Sequence, residues 1–388
     1  MDKATRKYLA HYAESEKRLA ELLHGRFSRV VVVPSFAEGS GLIDTLQSLP
    51  HTTANDTLVI CVLNAQPDTS PEDQAANQLT VTALKAHYPT RDLISNAPPC
   101  TAFALPSGTL LLVERWQGQW NLPAKTGVGL ARKIGCDIAV ALHARGRIAS
   151  RWIHCTDADA ILPSDYFDRL DAVPGTVAAL CYPFTHTTEA ALRYEIGLRY
   201  FVLGLAYAHS PYAHHTVGST LAVSTLHYAK VRGFPKRQAA EDFYLLTKLA
   251  KVGKIQRLQG EPILLSGRAS HRVPFGTGPA VARIQHEPQQ PHVYHPAIFD
   301  RLREHLESLG RASKSHIAFD GFRTLKWIHA LRDSAFPSLP FRQACALAPF
   351  IAATHATQSS LDVKSLCDAL RLQHDHHSNL TGVSYDAA

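Results

Sequence analysis

The run Arg29–Pro34, RVVVVP, constrains this chain more than any other stretch. Four consecutive valines are stiff at χ1 and favour extended backbone. No polar residue alternates with them, so a strand here is buried on both faces, as the central strands of parallel sheets are. Thr57–Leu63, TLVICVL, is a second run of the same kind. Helical pattern lies between and beyond such runs, beginning with LIDTLQSL after Gly41. The alternation predicts an α/β fold: a doubly wound, mostly parallel sheet flanked by helices.

The chain has 388 residues, 45% hydrophobic and 19% charged, a globular composition with room for one large domain or two ordinary ones. The longest apolar runs, Phe201–Ala208 and Ala344–Ala353, are too short to span a membrane. The opening MDKATRKYLAHYAESEKRLAELL is charged throughout. It reads as an amphipathic helix within 1–28 rather than a secretory signal. The seven cysteines are scattered without a Cys-x-x-Cys, the pattern of reduced core residues in a cytoplasmic protein. A net charge of +7 suits phosphate-bearing substrates, nucleic acid or peripheral contact with an anionic membrane, and selects none of them. Neither aromatic–basic interleaving nor a DNA-reading motif is present, so no nucleic-acid partner is expected.

Along the chain, Pro67–Asp73 and His87–Ser107 read as loops and Thr109–Glu114 as a short strand. Lys125-Thr126-Gly127 is a loop opening a helix over Val128–Ile134, with Gly135 as its stop and Arg132 and Lys133 on it. Free N–H groups there attract phosphate, although the spacing is not that of a P-loop. Trp152–Cys155 is a buried strand, followed at once by Asp157-Ala158-Asp159 and by a helix from Pro163 carrying Tyr166 and Phe167. Two carboxylates at the carboxyl end of such a strand sit where open α/β sheets bind ligands. Hard oxygens at that spacing suit Mg²⁺ or Mn²⁺ held against substrate phosphates.

Further strands are expected at Thr176–Phe184, Leu221–Val223 and Lys251–Leu258, with a long helix over Thr188–His209. Between them lie the loop SPYAHHTVGST at Ser210–Thr220 and a helix opened by Glu241 and Asp242, where the helix dipole alone would favour carboxylates. Ser266–Gly278, SGRASHRVPFGTG, reads as a flexible, phosphate-facing segment around His271 and Arg272. Helices over Ile298–Gly310, Phe322–Ser334 and Phe341–His355 follow, with a disordered tail from His374.

In this order the features resemble the family 2 glycosyltransferases with their GT-A fold. The likeness covers about Arg29 to Gly278 within a domain drawn at 29–285, preceded by the 1–28 helix and followed by a helical extension (286–373) and the tail (374–388). Val33-Pro34-Ser35-Phe36-Ala37-Glu38 looks like the family's Val-Pro-x-x-Asn-Glu, which implies donor contacts from Pro34, Ser35, Phe36 and Glu38, with Ala37 in place of Asn. Asn64 ends the second strand where the family has Asp-Asp, which leaves a UDP-type or GDP-type donor open. Lys125, Gly129 and Arg132 match the helix near base and diphosphate.

Asp157-Ala158-Asp159 looks like the metal-binding Asp-x-Asp. The resemblance implies Asp157 and Ala158 against the donor, Asp157 and Asp159 on Mg²⁺ or Mn²⁺, and Arg272 on phosphate. His271 is either a third metal ligand or a phosphate contact. Glu241-Asp242 matches the family's Glu-Asp, with Asp242 the implied base and Glu241 the other candidate. Tyr212, His214, His215, Gly218, Ser219 and Thr220 would form the side for a hydroxyl acceptor. The implied activity is a metal-dependent, inverting hexosyltransferase acting from a nucleoside-diphosphate sugar. It is non-processive, since the Gln-x-x-Arg-Trp of polymer synthases is absent. A retaining transferase of the glycerate- or phosphoglycerate-glycosylating kind, a nucleotidyltransferase, or a non-catalytic nucleotide- or polysaccharide-binding protein remain alternatives.

Overall fold

A computed structural model describes residues 1–51, 56–170, 173–270, 272–273, 276–286, 292–312 and 321–348. The helix expected within 1–28 is in three pieces: α1 (Lys3–His11), a 3₁₀ turn (Ser15–Arg18) and α2 (Leu19–Leu22). The break falls where the buried Asp137 carboxylate, 2.7 Å away, accepts the Glu14 N–H. Next come β1 (Arg29–Ser35), α3 (Leu42–Gln47) and β2 (Thr57–Asn64), as the apolar runs predicted.

The loop expected at Pro67–Asp73 instead opens α4 (Pro71–His87). Its Pro and acids are start signals: the Ser70 hydroxyl accepts the Asp73 N–H at 3.1 Å, Pro71 begins the first turn, and Glu72 and Asp73 face the positive end of the dipole. The loop expected at His87–Ser107 is an antiparallel pair, β3 (Thr90–Asn96) and β4 (Pro99–Leu105), leading into β5 (Gly108–Arg115). β3 is the sheet's outermost strand, so its polar composition reflects an exposed edge.

α5 (Gly127–Ala144) runs straight through Gly135, which had been expected to stop it. A Cβ on Gly135 would overlap the Val32 side chain, so this glycine serves close helix–sheet packing. β6 (Trp152–Cys155) and β7 (Ala160–Ile161) follow. No α-helix starts at Pro163; turns lead to a 3₁₀ segment at Asp168–Leu170, and the Tyr166 carbonyl accepts the Tyr182 hydroxyl at 3.0 Å.

The chain continues through β8 (Val177–Cys181), β9 (Phe184–His186), α6 (Glu189–Tyr207), β10 (Leu221–Ser224), α7 (Thr225–Lys230), α8 (Glu241–Leu249), β11 (Lys254–Arg257) and β12 (Ile263–Leu265). α9 (Thr277–His286), β13 (His292–Val293), α10 (Pro296–Ala312), α11 (Gly321–Ser334), β14 (Leu339–Pro340) and α12 (Phe341–Leu347) complete the described chain. His271 and the tail from residue 374 lie outside the described residues.

Two compact units result. The first comprises residues 1–184 and 216–265. Its nine-stranded sheet has the order β11-β8-β10-β6-β1-β2-β5-β4-β3, and only β10 and β4 oppose the other strands. Successive valines of β1 serve opposite faces: Val30 and Val32 pack with Ile134 and Ile138 of α5, Val31 and Val33 with Leu42 of α3 and Leu84 of α4. All four are at most 1% exposed, each worth about 1.5–3 kcal/mol of burial. The chain leaves β1 toward β2 on one side and later returns as β6 on the other. The strand order therefore reverses at β1/β6, and a crevice forms outside the carboxyl ends of such a pair.

The second unit comprises residues 185–215 and 266–388. Here α6 packs with α9 and α10, and Gly204 leaves room for the Phe299 ring beside Tyr200 and Leu203. Among the described residues no helix is long and apolar enough to cross a membrane. Cys61, Cys100, Cys136, Cys155 and Cys181 are buried free thiols.

Candidate active site

The carboxyl ends of β1 and β6 bring together side chains from four segments of the first unit. Arg132 lies one turn and a half into α5 and is 3% exposed. Its guanidinium forms ion pairs with Asp157, just beyond β6, and with Glu241, the first residue of α8. One fork thus ties the Asp-x-Asp turn to the helix carrying the Glu-Asp pair. Burial acts to lower the Arg132 pKa, but Asp157, Glu241 and Asp242 together raise it, so the cation is fixed. Burial pushes Glu241 above the usual carboxylate range, with Arg132 pulling it back.

Asp242 is the group set apart from its neighbours. Burial first, then the charge of Glu241, raise its carboxyl to about 7, against the pull of Arg132 and the amides of Phe243 and Gly218. The Phe243 N–H donates to Oδ1 at 2.6 Å. A carboxyl poised near neutrality suits a general base. Gly218 has a double part. Its amide faces Asp242, and a Cβ on it would fall on the Arg132 guanidinium. The sequence offered no signal for that contact beyond a glycine in a loop.

No protein-family model matches this chain. No curated protein matches it either. Among solved structures it is similar to S. aureus TarS 1–349 in complex with UDP-GlcNAc, at a TM-score of 0.42 and 13% identity over 93% of each chain. It is also similar to the mannosyltransferase PcManGT from Pyrobaculum calidifontis in complex with GDP-Man and Mn²⁺, at a TM-score of 0.39 and 18% identity over 98% of this chain and 97% of that one. Likenesses this distant assign no activity, and the chemistry below rests on the residues themselves.

The other expected donor residues fall into two groups. Ser35 ends β1, and its buried hydroxyl has no hydrogen-bond partner among the described residues. Pro34 lies within the same strand, and Phe36 and Glu38 are half-buried just beyond it. Ala158 is buried between the two turn aspartates. Asn64 ends β2: its side-chain amide donates to the Ser35 carbonyl at 2.8 Å, and its main-chain carbonyl accepts the Asn77 amide at 3.0 Å. Gly129 packs beneath the loop after α7, where its N–H donates to the Arg237 carbonyl at 3.0 Å.

Lys125 is exposed at the mouth of α5 with φ +65°, its N–H donating to Gln66 Oε1 at 3.1 Å. The same oxygen accepts Gln238 at 3.3 Å, a bracing pair that belonged to no recognisable motif. Lys133 faces another way from Arg132. It is bonded to Asp137 at 3.0 Å and to Tyr8 Oη at 2.6 Å, fastening the N-terminal helix to α5.

Of the expected acceptor residues, Gly218, Ser219 and Thr220 belong to the first unit and are buried in a 3₁₀ turn before β10. Tyr212, His214 and His215 belong to the second unit, as does the exposed Arg272. In that unit the Tyr212 and His214 rings lie 6.5 Å apart.

Among the described residues no cluster of three or more His, Cys, Asp or Glu side chains is placed to hold a metal. The protein-side donors are Asp157 and Asp159, both partly open to solvent. Two carboxylates completed by substrate phosphates are a donor set that fits Mg²⁺ or Mn²⁺, which keep several ligands from water or substrate. Asp157 also serves Arg132.

Proposed function

We propose that this chain is a nucleotide-sugar-dependent glycosyltransferase of GT-A type that inverts the transferred sugar's configuration, with Asp242 as the base. The observation that carries the reading is the Arg132 fork, which joins Asp157 and Glu241 beside a carboxyl raised to about 7. A sugar leaving a nucleoside diphosphate builds negative charge on the phosphate, and proton removal from the acceptor hydroxyl must accompany attack from the opposite face. Both demands fall on this constellation.

Asp157 and Asp159 would hold Mg²⁺ or Mn²⁺, which when bound supplies Lewis-acid stabilisation of the leaving diphosphate. Arg132 holds Asp157 at the turn and pulls the buried Glu241 back toward its ionised form. Glu241, locked by Arg132, is less suited to move protons than Asp242. Asp242 takes the acceptor proton on Oδ2, since Oδ1 is occupied by the Phe243 amide. A base so placed contributes about 10²–10⁴ in rate. Ser35, Phe36 and Glu38 at the end of β1 supply polar and aromatic contacts for the nucleoside.

A thermal-shift screen of UDP, GDP and their sugars, with and without Mn²⁺, tests the reading. One nucleotide should raise the melting temperature in a metal-dependent way, and Asp159→Ala should abolish that dependence. No shift with any nucleotide would leave only a binding protein of another kind.

A further inference from the structure

The amino end of β1 holds a cavity that the proposed chemistry does not use. Two turns of the first unit meet there, residues 23–27 leading into β1 and residues 145–148 leaving α5 toward β6. Phe27 and Ile148 form a parallel β-bridge. The Phe27 N–H donates to the Arg147 carbonyl at 2.8 Å, and the Ala149 N–H to the Phe27 carbonyl at 2.9 Å. That register sets Arg26 beside Arg147 and Gly25 beside Gly146. Both glycines have positive φ, +107° and +69°, where a side chain would strain the turn.

Arg26, Arg145 and Arg147 line a cavity of about 370 Å³ together with the two glycines. Arg145 pairs with the exposed Glu21 of α2, and Arg147 donates to the Leu23 carbonyl. Among the described residues Arg26, which is exposed, pairs with no carboxylate. The carbonyls of Ala141, His143 and Leu142 at the end of α5 accept the N–H groups of Arg145, Gly146 and Arg147. The turn thus satisfies the helix's negative end and brings guanidinium groups to the cavity.

Like charges on paired strands repel, and a turn folds equally well with other polar residues. Three guanidinium groups around one hollow match an anion, since each presents a planar fork of donors. A phosphoryl group offers three strong acceptor oxygens against a carboxylate's two. We propose that this cavity binds a small phosphate-bearing ligand through Arg26, Arg145 and Arg147. The cations line a hollow, which suits a soluble ligand better than a bilayer. The seven residues of β1 place it about 20 Å from the acids at that strand's carboxyl end, so it is a separate site and stands independently of the transferase reading.

Inorganic pyrophosphate is the probe, in EDTA so that no divalent cation draws it to the carboxylates. Calorimetric titration of the full chain should show binding that weakens as salt rises. Arg26→Glu should weaken it at least ~10-fold, the scale of a lost charge-assisted hydrogen bond, and keep the wild-type melting temperature. Arg26→Lys should recover only part, because an ammonium lacks the fork. Acetate at matched ionic strength should bind at least ~10-fold more weakly than pyrophosphate. Phenylglyoxal labelling of the unmutated protein, read by peptide mass, needs no variant: pyrophosphate should slow modification of Arg26 and Arg145. Absence of pyrophosphate binding, binding indifferent to Arg26→Glu in a folded variant, or unslowed labelling overturns the site. Equal binding of acetate overturns its preference for phosphate. Capture on phosphatidylglycerol vesicles without pyrophosphate binding overturns the soluble ligand in favour of a membrane surface. If Arg26→Glu unfolds, the labelling result decides.

Discussion

Replacing Asp242 by Asn should make the protein more stable and less active, and the two effects have different pH signatures. Folding raises the Asp242 carboxyl from 3.8 to about 7. Between those values the folded chain holds a proton that the unfolded chain has released, so stability falls as pH rises through this window. A displacement of about three pH units corresponds to about 4 kcal/mol at full ionisation. Asn cannot ionise, and its oxygen can still accept the Phe243 amide, but its NH₂ faces the Gly218 amide poorly. The expected gain is therefore about 2–4 kcal/mol at pH 8, shrinking to about 0.5 kcal/mol at pH 4, where the folded carboxyl is protonated and the unfolded one is about half so. Urea titrations of both proteins at pH 4, 6 and 8 read this directly. In parallel, wild-type kcat/KM for transfer should climb through pH 7 and level off, and Asp242→Asn should lose about 10²–10⁴ with that limb abolished. Equal stability of the two proteins at pH 8 would refute the strained environment. Normal turnover by the variant would refute the base.

Arg132→Met should cost about 3–5 kcal/mol in urea titrations, because Glu241 is left buried without its countercharge, and Arg132→Lys should rescue little since an ammonium lacks the fork that spans two carboxylates. Gly218→Ala places a methyl on the Arg132 guanidinium; it should lower stability by about 1–3 kcal/mol and transfer activity with it, and an inert Gly218→Ala would disprove the contact. Ala37 sits at φ +54°, where the resembling family has Asn, a residue that tolerates this backbone. Ala37→Gly should raise stability by about 0.5–1 kcal/mol in the same titrations, and Ala37→Asn somewhat less.

The sheet was legible because its central strands announce themselves. RVVVVP and TLVICVL have few alternatives to burial on both faces, and β1 and β2 lie within one residue of the expected limits. What misled was polarity taken without context. Pro71, Glu72 and Asp73 start a helix, yet the same residues are common in turns. β3 is polar because nothing covers its outer edge, a fact that only the strand order supplies. Gly135 was taken as a helix stop because an isolated glycine cannot say whether it ends a helix or lets one approach a sheet.

The site shows the same division more sharply. Asp157 was read as a donor and metal contact, Asp242 as the base with Glu241 as the other candidate, each singly, and Arg132 was placed near the nucleotide base and diphosphate. Helix geometry turns successive residues about 100° apart. Arg132 consequently meets Asp157 and Glu241 while Lys133 is carried round to Asp137 and Tyr8. Two adjacent basic residues thus belong to two separate buried networks, one at the candidate site and one holding α1. If Arg132 is committed to Asp157 and Glu241, the diphosphate must be neutralised by other groups, and a divalent cation at the Asp157-Ala158-Asp159 turn would be the principal one. Metal dependence of nucleotide binding is therefore expected to be steep, and it is a consequence of where this one arginine is anchored.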